Sequence, residues 1–154
     1  MAESARRAGF RTIVARFSCA FGVALACVAG CAPMQVFPAL ESIGGPPWTL
    51  AAWQANEAVA EGIDITLSHI DGALVGRSGC NRYRMPVADG YEPGRLRPGA
   101  VAVTRMACAD EILRAEARFL ERLARIDRFE LHAGELRLIE GSAGTSSALL
   151  LTRR

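Results

Sequence analysis

The amino-acid sequence predicts an α+β fold, a small, mainly antiparallel β-sheet with one long α-helix packed on it. Two patterns carry this reading. From Trp48 onward apolar residues recur mostly at every second position, as in strands with one buried face. Between Glu111 and Asp127 the period changes to steps of three and four, as on one face of a helix. The composition agrees: 154 residues with 51% hydrophobic and 6% aromatic content give room for a single globular domain. Setting aside an export signal and a tether leaves about a hundred residues, enough to bury about 60 to 68% of the unfolded surface.

The first thirty residues read as a signal peptide. A basic leader, Met1 to Arg16, precedes the apolar run Phe17 to Gly30, which is the layout of a secretory signal. The run closes with Val28-Ala29-Gly30-Cys31, which resembles the lipobox of bacterial lipoproteins, where small residues admit a peptidase and the cysteine thiol accepts a diacylglyceryl group. Each buried methylene contributes roughly 0.8 kcal/mol, so two or three chains on Cys31 would anchor the protein stably in a membrane. Ala32 after the cysteine, in place of an aspartate, favours the outer membrane, with the domain facing the periplasm. Residues 31–47 then form the lipidated cysteine and a tether, because Pro33, Pro38, Pro46 and Pro47 with Gly44-Gly45 sustain neither a helix nor a central strand.

Residues 48–154 form the expected domain. Ile63, Ile65 and Leu67 alternate with polar neighbours, Asp71-Gly72 supplies a hairpin turn, and Ala73 to Ser78 returns. Gly76 and Gly79 mark a bulge or close backbone approach, and Asn81, which tolerates a left-handed backbone, marks a kink. Met85 to Pro98 reads as an extended, arginine-rich loop. Ile112, Phe119, Leu123 and Ile126 define the helical stripe of Glu111 to Asp127, with Asp110 as N-cap. Phe129 and Leu131, a turn at Ala133-Gly134, Leu136 and Leu138, and a last strand from Ala148 to Thr152 complete the sheet.

Three stretches together resemble the META domain, the family that includes HslJ-like heat-shock lipoproteins. They are Trp48-Thr49-Leu50, then Gly76-Arg77-Ser78-Gly79-Cys80-Asn81-Arg82-Tyr83, then Thr104-Arg105-Met106-Ala107-Cys108 followed by Glu116 and Leu120. The resemblance covers about residues 48 to 154. It implies an exported, stress-linked envelope domain with no established catalytic activity and no cofactor.

Within the expected mature chain Cys80 and Cys108 are the only cysteines besides Cys31. An oxidising compartment favours a disulfide between them, worth roughly 3 to 4 kcal/mol on the chain-entropy argument; two buried free thiols are the alternative. Glu116 falls on the apolar stripe of the helix and needs a partner, for which Arg105 and Arg82 of the matching motifs are the candidates.

Other chemistries are poorly supplied. All 18 basic residues are arginine; four lie in the leader, so 14 face 15 acids in the expected mature chain, and their scattered positions give no nucleic-acid footprint. His69 and His132 show no third orienting residue for a Cys–His hydrolase, and two cysteines with two scattered histidines make a poor zinc set. The sequence therefore points to a monomeric, non-enzymatic envelope lipoprotein without metal or cofactor, held by its lipid and binding an envelope component. The alternative is a periplasmic inhibitor of a hydrolase such as lysozyme, in which an exposed loop such as Met85 to Pro98 would insert Arg84, Arg95 or Arg97 between catalytic carboxylates.

Overall fold

The computed structural model describes residues 39–141 and 147–153, so the expected signal peptide and Cys31 lie outside the described residues. Seven strands precede the helix: β1 (Trp48–Gln54), β2 (Glu57–Ala58), β3 (Thr66–Ile70), β4 (Ala73–Arg77), β5 (Arg82–Asp89), β6 (Leu96–Pro98) and β7 (Ala102–Val103). The helix α1 (Asp110–Leu123) follows, then β8 (Ile126–His132), β9 (Glu135–Glu140) and β10 (Ser147–Thr152).

All pairings are antiparallel, in the order β6-β5-β4-β3-β1-β10-β9-β8, with β2 and β7 added beside β1 and β5. The two outer strands turn toward each other. Arg95 bridges to Arg128, the Phe129 N–H donates to the Gly94 carbonyl at 2.8 Å, and the Arg95 guanidinium meets the Asp127 carboxylate at 2.6 Å. The sheet is thus nearly a barrel, and it dominates the fold rather than being the small sheet expected.

Part of the difference lies in Met85 to Pro98, which is not an extended loop. Tyr83, Met85 and Val87 point inward from β5 while Arg82, Arg84, Pro86 and Ala88 point outward, a period of two partly masked by proline and arginine. The strand pairs with β4 from Arg77↔Arg82 to Ala73↔Pro86, and with β6 from Val87↔Pro98 to Asp89↔Leu96. The hairpin turns at Asp71-Gly72 and Ala133-Gly134 are as expected, with positive φ at both central residues of each.

The helix begins at Asp110 and ends at Leu123, short of the expected Asp127. Ala109, not Asp110, is the N-cap, and no side chain caps the first turn. Asp110 and Glu111 instead lie inside that turn, where their charge offsets the positive end of the helix dipole. Ile126 matches the helical spacing but opens β8 opposite Glu140 and is fully buried there. The same three-residue step serves a helix or a chain turning into a core strand, and pairing of β8 with β9 decides between them.

The tether also ends earlier than Trp48. Leu40–Ile43 forms a 3₁₀ turn whose two apolar residues enter the core. The Ile43 carbonyl accepts from the Trp48 indole N–H at 2.9 Å and from Arg153 at 2.6 Å, and Arg153 stacks 3.9 Å above the Trp48 ring. Prolines at 38, 46 and 47 forbid a long helix but leave room for one tight turn. The cluster from Leu40 to Leu151, with Trp48, Phe119 and Phe129 among its largest members, is one continuous core. The described residues therefore carry one continuous core of their own, the mark of a domain able in principle to fold alone.

Among the described glycines Gly76 has the closest approach: a Cβ there would lie 2.0 Å from the Thr66 carbonyl oxygen. Gly76→Ala should lower stability by about 2 to 3 kcal/mol in urea denaturation, as overpacking against a fixed backbone does. A loss below a few tenths of a kcal/mol would contradict this close approach.

Candidate functional site

The Ser78-Gly79-Cys80-Asn81 turn between β4 and β5 is where the motif residues meet. Ser78 turns the chain by donating its N–H to the Asn81 carbonyl at 2.8 Å. The positive φ, +103°, falls on Gly79 and not on Asn81, and a side chain at Gly79 would also approach Ile112. Cys80 is disulfide-bonded to Cys108, with Cα atoms 6.1 Å apart and a sequence separation of 28. The bridge therefore ties the turn to the segment just before α1, and it consumes both thiols that a Cys–His hydrolase would need.

Glu116 projects from α1 into this turn. Its carboxylate accepts from the Ser78 hydroxyl at 2.6 Å, the Asn81 N–H at 2.8 Å and the Asn81 side-chain amide at 2.7 Å. The expected partners Arg105 and Arg82 are both exposed and take no part. Neutral donors already present in the turn satisfy the carboxylate without desolvating a second charge. Asn81 then faces the other way with its side-chain oxygen, which accepts from the Thr104 hydroxyl at 3.0 Å and the Met106 N–H at 2.8 Å. This needs a side chain that donates on one side and accepts on the other. An aspartate would set a second negative charge against Glu116.

Burial pushes the Glu116 carboxyl up, but hydrogen bonds from Ser78, from the Asn81 side chain and from the backbone of Asn81 and Cys80 outweigh it, so the group sits below its ordinary value. On the far side of the helix, Arg122 is buried between the Glu140 carboxylate and the Trp53 carbonyl. Arg118 clasps Glu57 and lies over the Trp53 ring. The helix is thereby held at both flanks, while Tyr83 and Phe119 meet edge to face at 5.3 Å beneath it. Sequence reading singled out Glu116 and Asn81 but gave no role to Ser78, Thr104 or Arg122. Ser78 and Thr104 lie within the matching motifs, which was the available signal; a buried arginine on a helix offered none.

Beside this node the outer face of β5 opens into a groove of about 320 Å³ lined by Arg82, Tyr83, Arg84, Ala102, Val103 and Thr104. The node fixes its wall, since Thr104 is held by Asn81 and its N–H and hydroxyl bind the backbone of Arg82.

The described residues thus define a class of small β-domain: a nearly closed antiparallel barrel, stapled by one disulfide and carrying a helix pinned through a buried carboxylate. The META domain family matches residues 41–152, and the chain belongs to that family, which supports an envelope-associated function of the META/HslJ kind. No curated protein matches the chain. A protein from Burkholderia xenovorans, solved by NMR, is 29% identical with a TM-score of 0.58, covering 75% of this chain and 86% of its own. A second NMR structure, at 19% identity and a TM-score of 0.56, covers 75% of this chain and 94% of its own, and shares the fold.

Replacing Glu116 by Gln puts an amide N–H₂ against groups that already donate, so Glu116→Gln should cost about 1 to 3 kcal/mol in denaturant unfolding. Because the folded carboxyl lies below its unfolded value, its stabilising contribution is complete above about pH 4.3 and is lost as pH falls through the folded value. The acid slope of stability should therefore be shallower in Glu116→Gln than in the parent, and equal slopes would remove the carboxylate from this role. Cys80→Ser with Cys108→Ser should lower stability by about 3 to 4 kcal/mol, read as a lower thermal midpoint, with little change if the bridge adds nothing.

Proposed function

We propose that the chain is an exported, non-enzymatic lipoprotein of the cell envelope, anchored through Cys31 and facing the periplasm. It presents its META domain to bind an envelope component in stress tolerance. The observation that carries this reading is the Cys80–Cys108 disulfide in a META-family domain, because such bonds persist in oxidising compartments. The leader and the Val28-Ala29-Gly30-Cys31 sequence supply the route and the anchor. From Cys31 to the first described residue, Ala39, there are eight peptide steps, so the domain is held within about 28 Å of the lipid.

The hydrolase-inhibitor reading is the weaker one. It needs an extended loop bearing free arginines. Arg84 lies within β5, Arg97 lies in β6 and donates to the Asp89 carbonyl, and Arg95 is paired with Asp127 and Glu92 at the barrel seam.

Intact mass of membrane-extracted protein tests the proposal. The expected mass is that of residues 31–154 plus acyl chains, rising by two daltons on reduction of the single bridge. Cys31→Ser should lose the acyl mass. A native mass that includes the leader, with Cys31→Ser unchanged in membrane retention, would overturn the anchor.

A further inference from the structure

The arginines around the groove oppose one another. Arg77 and Arg82 are direct cross-strand partners, and Arg84 lies two residues along the same outward face. Like charges placed directly opposite in a sheet are destabilising, so the arrangement works against the fold. Arg77 is eased by Asp64 at 3.5 Å. Among the described residues no carboxylate pairs with Arg82, Arg84 or Arg105; Arg84 reaches only the Asp71 backbone carbonyl at 3.4 Å. The groove floor beside them carries Ala102 and Val103, and Val103 and Met106 are exposed apolar side chains in the β7 segment and just after it. Positive charge beside exposed apolar side chains matches the outer layer of a bilayer, where phosphates lie above the acyl chains.

The attachment point has the reach this requires. Ala39 lines the same surface depression as Asp89 and Gly94, at the end of β5. From there to Arg82 the strand runs seven residues, about 23 Å. The eight peptide steps back to Cys31 span at most about 28 Å. We propose that the outer face of β5, through Arg82 and Arg84 with the exposed Val103 of β7 beside them, docks on anionic phospholipid headgroups of the membrane that holds the anchor. The protein would then lie on the bilayer on a defined face instead of standing away from it. This rests on the envelope reading above, but the surface can be tested without the anchor.

The test uses the chain from Ala32 to Arg154, which lacks Cys31 and contains the complete core. Co-sedimentation is measured with vesicles of equal parts phosphatidylethanolamine and phosphatidylglycerol, and with vesicles of phosphatidylcholine. The chain should bind the first at low salt, release at high salt and leave the second unbound. Each arginine at a surface contributes about fivefold to such partitioning, so Arg82→Gln with Arg84→Gln should weaken binding by about 25-fold. Arg114→Gln with Arg125→Gln removes the same charge from the helix and the turn that follows it, and should leave most of the binding. Circular dichroism checks that both pairs are folded. Equal loss in both pairs would reduce the effect to net charge and overturn the docking face, as would equal binding to both vesicles or none to either. Because Cys31 is absent, none of these outcomes bears on lipidation, which the intact mass decides separately.

Discussion

The Glu116 carboxylate is the constraint on which the arrangement of this domain depends. A charge on the inner side of a helix is tolerable only where donors surround it, and three donors converge on it from the Ser78 to Asn81 turn. That requirement fixes where the helix can lie, because the turn is closed by its own Ser78–Asn81 hydrogen bond and tied by the disulfide. Asn81 then passes the constraint to Thr104 and Met106, so the approach to the helix is set by the same residue that receives it. The disulfide closes the circuit covalently between Cys80 and Cys108.

This node explains why an almost closed barrel can carry a short helix without a conventional cap. Its N-terminus is held by the bridge two residues upstream, and its far flank by Arg118 and Arg122 against Glu57, Trp53 and Glu140. The two ends of the described domain are locked by related chemistry: Arg153, just after β10, stacks on Trp48 and binds the Ile43 and Gly44 carbonyls at the opening 3₁₀ turn. Guanidinium groups suit these places because their several donors reach backbone oxygens while the plane lies on an indole. The barrel seam is thinner, resting on a few groups around Arg95, Asp127 and Gly94.

A rigid scaffold of this kind leaves its chemistry on the outside. Both thiols of the domain are bonded to each other, and the buried carboxylate is saturated with donors, so neither is free to react. The groove on β5 is open to solvent, with Arg77 and Arg82 set opposite each other beside it and its wall held in place by the node.

The sequence by itself determined the period-two strands, both tight turns, the presence of the helix, and Glu116, Asn81, Cys80 and Cys108 among the residues that meet at the node. These are local matters: alternation, positive φ and three-to-four spacing are properties of short segments. Tertiary structure alone decided which donors satisfy Glu116, that Met85 to Pro98 is a hairpin, that Ile126 leaves the helix for a strand, and that Leu40 and Ile43 belong to the core. In each case two local states were compatible with the residues, and the choice fell to partners far away in sequence. A carboxylate does not specify whether an arginine or an amide will meet it; the geometry of a turn 35 residues away does.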